Sequence, residues 1–392
     1  MNMLDPTAIA DSKSYTPEDI KGLFVRRFKK DVSHELGKAF PARQMRQVHA
    51  AATPAEEAAF DALVDLKLSA IDQRRHGAML FKTTLEKALF SSPAACRQTI
   101  AERLETIAAR KDAAAFENDA EALRSLDDRV TEIDAASFSK YQRLIQLIGD
   151  KKEWGWSPKK KDDRLVIFSE RIETLKFLRE RLTQDLDLKD DQVEIIHGGL
   201  SDKDQQDIVE RFGKDNAKVR ILLASDVASE GLNLHFLCHR LVHFDVPWSL
   251  MVFAQRNGRI DRYGQERPPQ IVYLLTDAQN QRIRGDVRIL ELLTRRDDQA
   301  QKNIGDPSAL MRKYDEGAEV QLTAEAIEAG ESAEAFDARL AAPDELSPLD
   351  LLLRGGPTLD EPPPPPTPRA FSLFDSDFAY VREVLDVLAD EE

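Results

Sequence analysis

The chain has 392 residues, with 55 Lys/Arg against 70 Asp/Glu for a net charge of −15, and only two cysteines. That length supports two or three structural units around an ordinary core and excludes a mini-protein stapled by disulfides. Cys96 and Cys238 form no C-x-x-C pair and have no histidine cluster beside them, so neither a disulfide framework nor a metal site is expected, and a reducing, cytoplasmic setting is. No basic leader with an apolar run opens the sequence, and nowhere do about 18 apolar residues run together, so no export signal or membrane span is expected.

An acidic chain at first argues against a nucleic-acid partner, because duplex binding draws on Lys and Arg to displace counterions. The distribution of charge along the chain removes that objection. Residues 306–392 hold 21 Asp/Glu against 6 Lys/Arg, which is the whole net charge, so the first 305 residues are balanced. The balanced part contains the clusters Arg26-Arg27-Phe28-Lys29-Lys30, Lys151-Lys152 and Lys159-Lys160-Lys161. Each reads first as a solvated face and only second as a nucleic-acid contact.

In chain order, residues 1–45 carry Pro6, Pro17 and Pro41 around the basic stretch Phe24–Val32, which predicts a connector with one short helix. Gln47–Ala51 is a strand candidate. Thr53-Pro54-Ala55-Glu56 offers an N-cap hydroxyl, a proline at the first helical position and a glutamate three after the cap, so a helix should start there. From Thr53 to Asp150 apolar residues recur at helical spacing, as at Phe116, Ala120, Leu123, Leu126, Val130 and Ile133. Residues 46–160 are therefore expected to form a strand plus a helical subdomain.

Residues 161–300 switch to short apolar runs alternating with amphipathic segments. Leu165–Phe168, Val193–Ile196, Val219–Ala224, Leu241–Phe244 and Ile271–Leu275 are strand candidates, separated or followed by helices near Glu173–Leu182, Asp202–Phe212, Ser249–Arg262 and Asn280–Leu293. That alternation predicts an α/β fold, a parallel sheet with helices on both faces, and ligands beyond the carboxyl ends of the strands. Residues 301–392 read as an acidic, partly disordered tail containing the polyproline spacer Glu361–Arg369, with one more amphipathic helix at Phe371–Leu388.

Five features of the α/β region carry chemistry. Leu165-Val-Ile-Phe-Ser-Glu-Arg171 is a buried strand ending in polar residues, and a plain helix start explains it readily. His197-Gly198-Gly199 follows the next strand, where glycines and free amides let a phosphate backbone approach, though an ordinary turn fits equally. Ala224-Ser225-Asp226-Val227-Ala228-Ser229-Glu230-Gly231-Leu232-Asn233 packs hydroxyls, two carboxylates, a glycine and an amide into one strand end, more than a turn requires. His243-Phe-Asp-Val-Pro-Trp248 closes a strand in Asp and Pro, and turn chemistry explains it as well as function does. Gln255-Arg256-Asn257-Gly258-Arg259-Ile260-Asp261-Arg262 places two guanidiniums on one helical face, suited to the oxygens of a polyphosphate unless Asp261 merely pairs with a neighbour.

In order and spacing these five features resemble the second RecA-like lobe of superfamily-two helicases over about residues 160–280. The continuation Tyr263-Gly264-Gln265 and the likeness of Phe24–Val32 to an inter-lobe linker make the resemblance closest to the Swi/Snf group, including bacterial RapA-like ATPases, over most of residues 15–300. The resemblance implies a RecA-like sheet with a helical insertion. It makes Arg259 and Arg262 arginine fingers and gives Gln255 a part in ordering the cleft. Asp226, Glu230, Gly231 and Asn233 would serve the nucleotide, and Ser225, His197, Gly198 and Arg171 the nucleic-acid track. It implies ATP with Mg as cofactors, and DNA as partner with RNA as the alternative; apart from the resemblance, the acidic tail is a candidate site for a protein partner.

A G-x-x-x-x-G-K-[ST] phosphate loop does not occur in the sequence, since Gly37-Lys38 and Gly213-Lys214 lack its flanking residues. Asp315-Glu316 and Asp344-Glu345 follow no buried strand. The chain is therefore expected not to hydrolyse ATP alone, but to complete a site whose first lobe, in cis or in trans, binds most of the nucleotide and metal. The competing expectations are a non-catalytic protein-interaction module and an RNA helicase lobe.

Overall fold

The computed structural model describes residues 41–68, 77–226, 233–299 and 316–341. The greater part of the expected connector, the polyproline spacer and the helix expected at 371–388 lie outside the described residues. Among the described residues there are six strands: β1 (Gln44–Ala51), β2 (Arg164–Phe168), β3 (Val193–Ile196), β4 (Ile221–Ala224), β5 (Cys238–His243) and β6 (Gln270–Asp277). They form one sheet in the order β1-β6-β5-β2-β4-β3, and every pairing is parallel. This is the parallel sheet that the alternation of strands and helices predicts.

A parallel sheet must be covered on both faces, so its strands are apolar on both sides. Alternate residues of β2 enter different cores: Leu165 and Ile167 join one, Val166 and Phe168 the other. The first core is closed by α1 (Pro54–Asp65), α2 (Gly77–Ser91), α3 (Pro93–Ala108), α4 (Glu117–Thr131), α5 (Ser139–Gly149) and α6 (Ile172–Asp185), through residues such as Phe60, Leu85, Ile100, Leu123, Leu144 and Leu178. The second is closed by α7 (Asp202–Gly213), α8 (Leu250–Asn257), α9 (Gln281–Gln299), α10 (Glu316–Glu328) and α11 (Ala333–Ala341), through Phe212, Phe253, Leu290, Ile327 and Phe336 among others.

β1 pairs with β6 over eight residues, from Gln44 opposite Gln270 to Ala51 opposite Asp277. The strand ahead of the helical region thus becomes the edge of the sheet beside its last strand. Residues 316–341, which composition assigns to the acidic tail, form α10 and α11 against the second core; Arg282 Nη2 donates to Ile327 O at 3.1 Å and Arg296 Nε to Asp337 Oδ1 at 2.8 Å.

α8 is shorter than the sequence pattern predicts. Ser249 caps its start by accepting from Val252 N, and the helix ends at Asn257 with Gly258 as its C-cap. Arg259 N then bonds Arg256 O and Ile260 N bonds Asn257 O, a tightened turn that carries both arginines just past the helix. The glycine, a poor helix former, marks the stop.

Candidate nucleotide and nucleic-acid site

Three of the predicted nucleic-acid residues follow strand carboxyl ends, as the fold requires. Ser225 comes directly after β4; it is buried, and its Oγ finds no hydrogen-bond partner among the described residues. His197 comes directly after β3, where its Nδ1 accepts from Gly199 N at 3.1 Å and orders the turn that exposes Gly198. Arg171 follows β2 by three residues and caps α6, its backbone N donating to Ser169 Oγ at 3.3 Å. Lys159, Lys160 and Lys161 are exposed but precede β2, at the opposite end of the strand.

Arg259 and Arg262 lie elsewhere. Their turn is joined to the segment that leads into β5: Leu234 N donates to Arg259 O at 3.1 Å, Arg262 Nη1 donates to Asn233 Oδ1, and Gln265 Nε2 donates to Cys238 O at 3.0 Å. Arg262 is exposed, while Arg259 and Gln255 are half-buried. The structure therefore brings Asn233 to the arginines and leaves Ser225, His197 and Arg171 at the strand ends. Glu230 and Gly231 lie outside the described residues.

The residue that joins these two regions is Arg256, which sequence reasoning passed over. It is 1% exposed, and its guanidinium is held on three sides. Nε and Nη2 donate to Asp226 Oδ1 and Oδ2 at 2.5 and 2.7 Å, while Nη1 donates to Asp245 O at 3.0 Å and to its Oδ1 at 3.3 Å. Burial works against this charge, but Asp226 and then Asp245 outweigh it and hold the guanidinium above its ordinary pKa. Burial likewise opposes the charge on Asp245, and Arg256 overcomes it, so that carboxyl titrates below its usual range. Asp245 Oδ2 also accepts from Ser91 Oγ at 2.9 Å, Ser169 Oγ at 2.6 Å and Glu170 N at 2.9 Å. One buried ion cluster thus links the ends of β2, β4 and β5, the end of α2 and the helix that precedes the arginines.

A second buried chain continues from it. His243 Nδ1 lies 3.4 Å from Arg256 Nη1, and its Nε2 lies 2.9 Å from Asn257 Oδ1. Asn257 Nδ2 donates to Tyr273 Oη at 3.1 Å and to Asp297 Oδ2 at 3.0 Å, and Asp297 is paired with Arg43 Nη2 at 2.8 Å. Burial and the adjacent Arg256 push His243 well below its ordinary pKa, which matches a neutral ring donating through Nε2.

Among the described residues the donor sets differ in the ligand chemistry they suit. Arg259 and Arg262 suit phosphate oxygens, whereas the strand-end acids Asp226 and Asp245 are engaged by Arg256 and suit a guanidinium rather than Mg. A further His/Asp/Glu group stands on the β1–β6 edge, where His49 Nδ1 lies 2.8 Å from Asp277 Oδ1 beside Glu291.

Residues 139–264, from the start of α5 to the end of the arginine turn, match the family model described as the helicase conserved C-terminal domain. This part of the chain is similar to the C-terminal domains of helicases. The chain is similar to the uncharacterized ATP-dependent helicase YqhH of Bacillus subtilis, with 26% identity over 265 residues, which are 66% of this chain and 42% of that protein. It is similar to the RNA polymerase-associated protein RapA of Yersinia enterocolitica, with 39% identity over 87 residues, 22% of this chain and 9% of that one. Among solved structures, the SWI2/SNF2 ATPase core of Sulfolobus solfataricus in complex with dsDNA matches with a TM-score of 0.40 and 18% identity, covering 78% of this chain and 52% of that one. The chain spans less than half the length of the curated relatives it matches. Among the described residues no helix is long and apolar enough to cross a membrane.

Proposed function

We propose that this chain supplies the second motor lobe of an ATP-dependent, Swi/Snf-like translocase acting on double-stranded DNA. Arg259 and Arg262 would face the terminal phosphates of ATP held by a first lobe, stabilising the charge that develops as the γ-phosphoryl group leaves. Ser225, His197, Gly198 and Arg171 would line the DNA backbone. Asn233 and Gln255 would hold the arginine turn, with Glu230 and Gly231 in the same stretch. The occupation of Asp226 and Asp245 by Arg256 supports a site in which Mg comes with the first lobe, in cis or in trans. The buried thiols of Cys96 and Cys238 fit a reducing, cytoplasmic setting.

The observation that carries this reading is the tie between the arginine turn and the stretch that leaves the Ser225–Asp226 strand end, through Arg262 to Asn233 and Arg256 to Asp226. A contact with nucleic acid at that strand end can move the arginines along this path. The test joins or mixes the chain with a first lobe bearing a phosphate loop and an Asp-Glu pair. Hydrolysis should be stimulated by duplex DNA more than by RNA, and should fall by about a hundredfold or more in Arg259→Ala and Arg262→Ala. Wild-type turnover in both variants would sink the finger assignment, and stronger stimulation by RNA would make this an RNA motor.

A further inference from the structure

Alternate residues of β1 divide between the two cores as those of β2 do: Met45 packs against the second, and Val48 belongs to the first. Arg46 shares the parity of Val48 and so faces the side of the first core, to which Trp154 also belongs. Arg46 and Trp154 line a cavity of about 170 Å³ together with Glu153, Met45, Ile271 and Val272. One water needs only about 10–15 Å³ of such space, so a group of several heavy atoms has room. The cavity stands at the amino ends of β1 and β6, whereas Ser225, His197 and Arg171 follow the carboxyl ends of strands in the same parallel sheet.

The donors beside this cavity are left over from their surroundings. Arg143 takes both oxygens of Glu153, at 3.1 and 2.6 Å. Arg240 takes both oxygens of Asp163, at 2.7 and 3.3 Å, and lies over the Trp154 ring at 5.2 Å. Arg46 has no such carboxylate among the described residues. Its Nη1 is 3.6 Å from Glu153 Oε1, too far for a hydrogen bond, and its Nη2 finds no partner there. Trp154 is 6% exposed, and its Nε1 also finds no partner among the described residues. Burial lowers the pKa of Arg46; Glu153 opposes that shift, and Arg143 and Arg240 add to it. Buried donors without acceptors are costly, and two of them on the residues of one cavity mark a place for an acceptor.

We propose that this cavity binds a small organic carboxylate with a short apolar substituent. The planar fork of Arg46 matches the two oxygens of a carboxylate, and the Trp154 indole N–H supplies a third donor. Met45, Ile271 and Val272 give the apolar substituent a wall to pack on. Glu153 selects against phosphate, because further negative charge on the ligand would stand beside its carboxylate with one unmatched guanidinium to offset both.

The test titrates the full chain, isotope-labelled at tryptophan, and follows the indole N–H resonances, with that of Trp154 assigned by its loss in Trp154→Phe. Isovalerate should move the Trp154 signal saturably at millimolar concentration. The Trp156 signal should hold still, because its Nε1 already donates to Asp163 O at 2.9 Å. Inorganic phosphate should bind at least about tenfold more weakly than isovalerate, and acetate about threefold or more weakly for want of apolar contact. Arg46→Met keeps the length of the stem without the fork and should weaken isovalerate by about tenfold or more, with unmoved Trp156 and Trp248 signals showing that the fold is intact. Arg46→Lys should recover only part of the affinity. No saturable movement of the Trp154 signal up to about 50 mM isovalerate, equal movement with sodium chloride, or undiminished affinity in Arg46→Met overturns the proposal. Tighter binding of phosphate than of isovalerate overturns it as well.

Discussion

Arg256 carries its charge at 1% exposure, so the energetics of the site turn on what happens when its partners or its fork are removed. Arg256→Ala leaves Asp226 and Asp245 facing each other without the cation that offsets their burial, and should cost about 3–5 kcal/mol by urea denaturation. Arg256→Lys should recover only part of this, because an ammonium cannot bridge both oxygens of Asp226 while also reaching Asp245. Equal stability of the lysine variant and wild type would show that charge alone, not the bidentate fork, holds the cluster. Lys140 is a contrasting case: it is 3% exposed, donates to Phe90 O and lies over the Phe244 ring at 4.8 Å. Burial pushes its pKa down to about 8, with Asp245 and Glu56 only partly compensating. Between about pH 8 and 10.5 the unfolded chain would hold the proton and the native chain would not, so stability rises with pH across that window. The increment should be on the order of 3 kcal/mol and should vanish in Lys140→Met, compared by denaturation at pH 7.5 and 10. Arginines at i and i+3 were readable from spacing, but Arg256 was not: its role depends on carboxylates 30 and 11 residues away, which no local pattern displays.

At the scale of elements, the strands from β2 to β6 were legible because runs such as Leu165-Val-Ile-Phe168 and Ile221-Leu-Leu-Ala224 are apolar enough to be buried on both faces. The start of α1 was legible for a different reason, a capping box written in Thr53 and Glu56. The structure adds a tie that sequence could not show. Glu56 Oε2 accepts from Thr53 N at 2.8 Å, while its Oε1 accepts from Ser139 N at 3.2 Å and Ser139 Oγ at 3.0 Å, 83 residues on. One carboxylate thus holds the starts of α1 and α5 together. Thr53→Ala should cost about 1 kcal/mol, the ordinary loss of an N-cap. Glu56→Ala should cost clearly more, about 2–4 kcal/mol, because the amide and hydroxyl of Ser139 also lose a buried partner. If guanidinium denaturation gives equal costs, the link between the two helices contributes nothing beyond the cap.

At the scale of the molecule, the sheet is shared between two cores, and α10 and α11 belong to the second although they lie in an Ala- and Glu-rich stretch that reads as solvated. Averaged composition hid the stripe of Ala324, Ile327, Phe336 and Leu340 that packs inward. It also hid Glu319, buried, whose Oε2 accepts from Ser249 Oγ at 2.6 Å and Met251 N at 3.0 Å and so caps α8, the helix that leads to the arginines. Thr323 Oγ1 donates to Trp248 O at 2.9 Å on the same side. These ties predict that α10 and α11 unfold with the lobe rather than before it. Leu144→Ala in the first core and Phe336→Ala in the second both remove fully buried side chains and should each cost about 2–5 kcal/mol. Because β2, β4, β5 and β6 contribute alternate residues to both cores, both variants should lower one common thermal midpoint, seen alike by far-ultraviolet circular dichroism and by fluorescence of Trp154, Trp156 and Trp248. A separate early transition in Phe336→Ala, visible at Trp248 while the sheet stays intact, would instead mark α10 and α11 as an independent unit docked on the lobe.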